Sequence, residues 1–168
     1  VPFNEAWGQF DTPEVVKFTR ELDPTRLINP ASGGNYDFSA GVEGFGDILD
    51  VHHYPCPAMN VFERKFVNVL GEYGGIGYPV DGHTWIIERK WGYGKVKESS
   101  EELMKQYEDF LEMLRTFVTN GCAAAVYTQT TDVEGEVNGL MTYDRKVVKV
   151  DMPRIAAANK AVIDSMSR

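Results

Sequence analysis

Apolar residues recur at three- and four-residue steps from Glu101 to Asn120: Leu103, Tyr107, Phe110, Leu111, Leu114, Phe117 and Val118. That spacing lays one apolar stripe along a helix. Ser99 and Glu102 have the spacing of a capping box at its start, and Gly121 follows its end. Directly after comes Cys122-Ala123-Ala124-Ala125-Val126-Tyr127. This apolar run is too short for a second helix after a glycine break, and it predicts a fully buried strand over 123–128. The same alternation appears nearer the N-terminus. Thr12 and Pro13 open a helix over 13–22 with a cap and an early proline, and Val15, Val16, Phe18 and Leu22 form its apolar side. Strands are predicted at 1–4, 26–29, 48–53 and 67–70. A last helix is predicted over 153–165, with Ile155, Asn159, Val162 and Ile163 along one face.

Short strands alternating with helices imply parallel βα units. The segments after the strands are long (32–47, 73–100 and 129–152), whereas the turns before them are short. That asymmetry belongs to a (β/α)8 TIM barrel, which builds its active site at the C-terminal ends of its strands. Five strands are predicted here, and a complete barrel takes about 250 residues. The chain of 168 residues is therefore expected to be one α/β domain, 1–168, forming part of such a barrel. The other strands would lie before Val1; an open α/β sheet is the alternative.

Bulk chemistry narrows the partners. A net charge of −8 and a pI near 4.9 argue against nucleic acid or an anionic membrane, both of which demand a basic face. No stretch approaches the ~18 apolar residues of a membrane span. The start, Val1-Pro2-Phe3-Asn4-Glu5, has neither the basic nor the apolar region of a signal peptide. An upstream leader in a longer parent, periplasmic or secreted, is compatible with this. Cys56 and Cys122 fall at opposite ends of predicted strands, too far apart for a disulfide, and are expected to be free thiols.

Two acidic motifs carry the chemistry. Phe3-Asn4-Glu5-Ala6-Trp7 and Leu70-Gly71-Glu72-Tyr73-Gly74-Gly75 each place a glutamate where an apolar run gives way to a loop. A glutamate at such a place is either a solvated loop charge or half of a catalytic pair. Two carboxylates projecting from strand ends into one cleft are what glycosidic hydrolysis requires. Their positions differ by 72 − 5 = 67 residues, so only the fold can bring them together.

The chain resembles the catalytic barrel of glycoside hydrolase family 2, which contains β-galactosidases, β-glucuronidases and β-mannosidases. Asn4-Glu5 resembles the end of barrel strand four, and Leu22-Asp23-Pro24-Thr25-Arg26 the turn that follows. Asp50-Val51-His52-His53-Tyr54 resembles strand six, and Gly71-Glu72-Tyr73-Gly74 the nucleophile segment of strand seven. Tyr127-Thr128-Gln129-Thr130-Thr131-Asp132-Val133-Glu134 and Asn138-Gly139-Leu140-Met141-Thr142-Tyr143-Asp144-Arg145 resemble strand eight and its loop. The resemblance implies strands four to eight of the barrel and retaining hydrolysis of terminal β-glycosides, with Glu72 as nucleophile and Glu5 as acid/base.

It also implies substrate contacts. Asn4 would bond the sugar 2-hydroxyl, and Trp7, just past the acid, would wall a subsite. Tyr73 would orient the nucleophile. Trp85 is equally a core or a subsite residue. His52 and His53 are adjacent and so face opposite sides of a strand; His53, with Tyr54, is expected to line the site. Gln129 stands where related enzymes often carry an aromatic platform, a departure from the family pattern. Asp132 is expected to touch a subsite, whereas Glu134 and Glu136 read as a solvated acidic face. No cofactor is implied, and adjacent histidines on a strand suit no metal. The partner is a carbohydrate, with self-association expected through open barrel edges. Alternatively, the chain alone is an inactive fragment or a non-enzymatic sugar-binding module.

Overall fold

The computed structural model describes residues 1–5, 8–34 and 46–166. In chain order the elements are β1 (Phe3–Asn4), α1 (Thr12–Leu22), β2 (Ala31–Ser32), β3 (Ile48–His53), β4 (Val67–Gly74), α2 (Ser100–Thr119), β5 (Cys122–Thr128) and α3 (Met152–Ser165). This is a mixed α/β fold with parallel sheets. β1 pairs with β2 in parallel, Phe3 opposite Ala31 and Asn4 opposite Ser32. The other sheet has the order β3-β4-β5. The residues group into two compact units. One comprises Val1–His52, Met59–Glu72 and Asn120–Val126; the other comprises His53–Ala58, Tyr73–Thr119 and Tyr127–Arg168.

In the first unit, Val16, Ile28, Ala31, Leu49, Val51 and Leu70 are buried. The strand expected over 26–29 does not form, and the ladder begins only at Ala31. Two side chains explain the shift. The Asp23 carboxylate takes the Thr25 N–H at 3.1 Å, the Thr25 hydroxyl at 2.7 Å and the Arg26 guanidinium, closing a turn. Asp47 then takes the Ile28 N–H at 2.8 Å on its carboxylate, so Ile28 spends its donor on a side chain. The expected apolar side of α1 is also mostly outside: Val16 is buried, but Phe18 and Leu22 are exposed.

β5 departs furthest from expectation. Cys122 is buried, but Ala123, Ala124, Ala125 and Val126 are exposed. It ends the β3-β4-β5 order, so only β4 flanks it in that sheet. A continuous apolar run implies burial on both faces only when something covers both. Cys122 and Cys56 are free thiols, and burial pushes the Cys122 thiol up, keeping it protonated.

The second unit is held by α2 against α3. Leu103, Met104, Tyr107, Phe110, Leu111 and Leu114 form the buried stripe of α2. At its start, Ser99 accepts the Glu102 N–H at 3.2 Å and Glu102 reaches back to the Glu98 N–H at 3.1 Å. Asp151 caps α3 by accepting the Arg154 N–H at 3.1 Å. The Arg154 guanidinium forks onto both oxygens of Glu108 at 2.6 Å and also bonds Glu101. The Tyr107 hydroxyl meets Asn159.

The loop after β5 is pinned by a buried ion pair. Lys149 Nζ donates to Asp132 Oδ1 at 2.6 Å and to the Val137 carbonyl at 3.1 Å, while the Gly139 N–H donates to the same Asp132 oxygen at 2.8 Å. Burial pushes the Asp132 carboxyl up and the Lys149 ammonium down, and their contact opposes both shifts. Removing one partner strands a buried charge. Lys149→Met is therefore expected to destabilise the chain by about 3–5 kcal/mol, and adding Asp132→Leu to restore most of it. Urea denaturation of both variants checks this; equal stability of Lys149→Met and wild type would refute it.

Glu108 and Asp144, both half-buried, titrate abnormally. The Arg154 guanidinium holds Glu108 below the usual carboxylate range. Hydrogen bonds from the Thr142 hydroxyl and then His83 do the same for Asp144. The unfolded chain takes up these protons first as pH falls. The pairs therefore stabilise the fold above the ordinary carboxylate pKa of about 4, and that contribution fades as pH drops through the lowered native values. Between about pH 4.5 and 2, stability should fall less steeply in Glu108→Gln and Asp144→Asn than in wild type. Parallel curves in denaturant titrations would contradict this.

Candidate active site

The local chemistry of the first unit begins at a buried acid. Asp50 lies inside β3 and is 2 % exposed. Among the described residues its carboxylate takes hydrogen bonds from Asn29 Nδ2 at 2.6 Å and Ser32 Oγ at 2.8 Å on Oδ2, and from the Gly71 N–H at 2.7 Å on Oδ1. Gly71 must be glycine because a Cβ there would fall on that carboxylate. Such donors satisfy a buried carboxylate without a formal cation.

His52 shares the Asp50 face of the strand, two residues on. Its side chain is only 7 % exposed. Nε2 lies 2.8 Å from Ser32 Oγ. Gly33, at φ 74°, leaves room for the imidazole, since a Cβ there would meet the ring. On the other side, Nδ1 lies 3.5 Å from Glu5 Oε1 and 3.5 Å from Glu72 Oε2. One oxygen of each glutamate and one ring nitrogen all lie within 4.8 Å of one another. The fold thus brings together the two glutamates that lie far apart in sequence.

Each glutamate is held locally. Glu5 follows β1, and its N–H donates to the Ser32 carbonyl at 2.6 Å. Its φ of 58° lies in the left-handed region, uncommon for a residue with a side chain and frequent at functional sites. Glu72 lies in β4, two positions beyond Leu70, which is fully buried. Both glutamate side chains are about a third to two-fifths exposed, at 42 % for Glu5 and 33 % for Glu72. They are anchored by backbone and open to a solute.

The other expected site residues divide. Asn4 ends β1 and is exposed beside Glu5. Trp7 lies outside the described residues. Of the two histidines, the structure puts His52, not His53, against the glutamates. His53 is exposed, and its Nδ1 lies 2.7 Å from the Cys56 carbonyl. The strand parity that Asp50 sets could have identified His52, because a buried acid at position 50 puts 52 on the same side.

In the second unit, the Tyr54 ring stacks on Tyr93 at 3.7 Å between centroids, and its hydroxyl donates to Thr128 Oγ1 at 2.7 Å. Tyr73 is buried edge-on to Tyr127, and burial pushes its hydroxyl pKa far up, so it remains neutral. Trp85 is 58 % exposed, beside Tyr143, which removes its core reading. Gln129 donates to Glu136 at 3.0 Å and to Asn138 at 2.8 Å. Glu136 is therefore part of an ordered network, where a solvated face was expected. Asp132 is 5 % exposed and committed to Lys149, a structural role where a subsite contact was expected.

No family model and no curated protein matches this chain.

Gly71→Ala tests the Asp50 anchor. The added methyl should expel the carboxylate from its bonds and cost about 1–3 kcal/mol for the unsatisfied buried groups. Wild-type stability in urea denaturation would show that Asp50 is not anchored there.

Proposed function

We propose that this chain carries the catalytic pair of a retaining β-glycosidase resembling glycoside hydrolase family 2. The observation that carries the reading is the approach of Glu5 and Glu72, with carboxylate oxygens within 4.8 Å of each other. Retaining enzymes hold their carboxyl groups about 5–5.5 Å apart, and inverting enzymes hold them about 6.5–9.5 Å apart to admit a water. An oxygen-to-oxygen approach within 4.8 Å supports the closer, retaining arrangement.

In this reading Glu72 attacks the anomeric carbon while Glu5 gives its proton to the departing glycosidic oxygen. The sugar is left as an ester on Glu72. Glu5, now a carboxylate, removes a proton from water, whose oxygen attacks the same carbon and frees Glu72. Buried His52 faces both carboxylates, its Nδ1 3.5 Å from an oxygen of each. Asn4, exposed next to Glu5, would meet the sugar 2-hydroxyl in this reading. The resemblance implies further substrate contacts at Trp7, Tyr54 and Trp85.

The finer reading of the fold belongs to the same proposal: strands four to eight of a (β/α)8 barrel. Parallel pairing of β1 with β2 supports it, as do glutamates at or near the C-terminal ends of β1 and β4. The exposed run of β5 suits a strand that meets another strand in a closed barrel.

A protein containing this chain should hydrolyse an activated aryl β-glycoside and release the β-anomer first, as read by proton NMR. Glu72→Gln should abolish turnover. Glu5→Gln should lower kcat/KM about 10²–10⁴-fold for a poor leaving group and far less for a nitrophenolate, which leaves without a proton, whereas kcat falls for both because deglycosylation loses its base. Full activity in Glu72→Gln, or release of the α-anomer, would overturn the assignment.

A further inference from the structure

We propose that Glu5, His52 and Glu72 bind a borderline divalent cation, Zn²⁺ above all, in a site that closes the glutamate pair. The starting point is an unsatisfied atom. His52 Nδ1 is buried and makes no hydrogen bond among the described residues, on a side chain only 7 % exposed. It faces an oxygen of Glu5 and an oxygen of Glu72, each at 3.5 Å. A buried nitrogen left without a partner is costly, and this one points between two carboxylates.

The hydrogen-bond chain behind the ring decides what Nδ1 offers. Ser32 has one hydroxyl proton, and it donates that proton to Asp50 Oδ2 at 2.8 Å. The hydroxyl can then only accept at Nε2, 2.8 Å away. The proton of the neutral imidazole therefore sits on Nε2, and Nδ1 presents its lone pair to the glutamates. Metal-binding histidines are oriented in this way, with the second nitrogen donating to an anchored oxygen. Here the anchor is buried Asp50, fixed by Asn29 and Gly71 as well.

The spacing suits the ion. Zn²⁺ takes nitrogen and oxygen donors at about 2.0–2.2 Å in a tetrahedron, so neighbouring donors stand roughly 3.4 Å apart. The nitrogen-to-oxygen separations of 3.5 Å match this. The carboxylate oxygens, within 4.8 Å, come closer by rotation of two part-exposed side chains. One imidazole with two carboxylates favours Zn²⁺ or Cu²⁺ over Mg²⁺, which prefers an octahedron of oxygens. The fourth position stays open to water. If the pair hydrolyses glycosides, as proposed above, the bound cation would ligate nucleophile and acid together. It would therefore inhibit rather than assist.

Direct binding tests this without reference to activity. Zn²⁺ is titrated into the purified chain against a chromophoric chelator and by calorimetry, with Mg²⁺ as control. The expected result is one Zn²⁺ per chain, with affinity at least about tenfold lower in His52→Gln, in Glu72→Gln and, through loss of orientation, in Ser32→Ala. Cys56→Ser should bind as wild type does, which excludes the thiol as ligand. Circular dichroism of each variant separates lost affinity from lost fold, and Glu72→Gln, at a part-exposed position, is the variant least able to unfold the chain. Absence of Zn²⁺ binding, or equal affinity in folded Glu72→Gln, would overturn the proposal. A chain that binds Zn²⁺ while a protein containing it cleaves no β-glycoside would sink the glycosidase reading and leave the metal site standing.

Discussion

The carboxylate of Asp50 is the constraint on which the candidate site depends. A buried charge must be solvated by the protein itself, and Asp50 draws donors from Asn29, Ser32 and Gly71. Those donors come from the segment entering β2, from β2 and from β4, so satisfying one charge fixes three stretches of chain against β3. The consequences reach the surface through Ser32. Its carbonyl holds the Glu5 N–H and its hydroxyl orients His52. The glutamate pair is therefore placed by hydrogen bonds that begin in the interior, while the carboxylates themselves stay open to solvent.

The second unit handles charge differently. Its buried pair, Asp132 with Lys149, is closed on itself and on backbone groups. Its part-buried network, Arg154 with Glu101 and Glu108, ties α2 to α3 with a rigid fork. Both arrangements stabilise loops and helices. Neither leaves a charged group aimed outward with its orientation fixed from behind, which is what distinguishes the glutamate pair with His52.

The fold was legible in sequence wherever local periodicity and burial agree. The helix over Ser100–Thr119 follows from its apolar stripe and capping residues, and the strand Ile48–His53 from its apolar run. Legibility failed where a side chain captured a backbone group. Asp23 and Asp47 convert residues 23–28 into a turn and a clip, and no propensity for extended structure in Arg26 to Asn29 outweighs those bonds. It failed again at β5. Sequence reports that Ala123–Val126 are apolar but not whether anything covers them, and they are exposed.

The site divides along the same line. By itself the sequence determined that two glutamates stand at or near the ends of strands, although the strand carrying Glu72 runs on to Gly74. It determined this because strand ends, glycines and carboxylates are local features. Only the tertiary structure decided that Glu5 and Glu72 meet, that His52 lies against them, and that Asp132 is buried against Lys149. Those outcomes depend on which buried polar atoms find partners. That is settled among residues tens of positions apart, by the cost of leaving a charge or a donor unsatisfied in the interior.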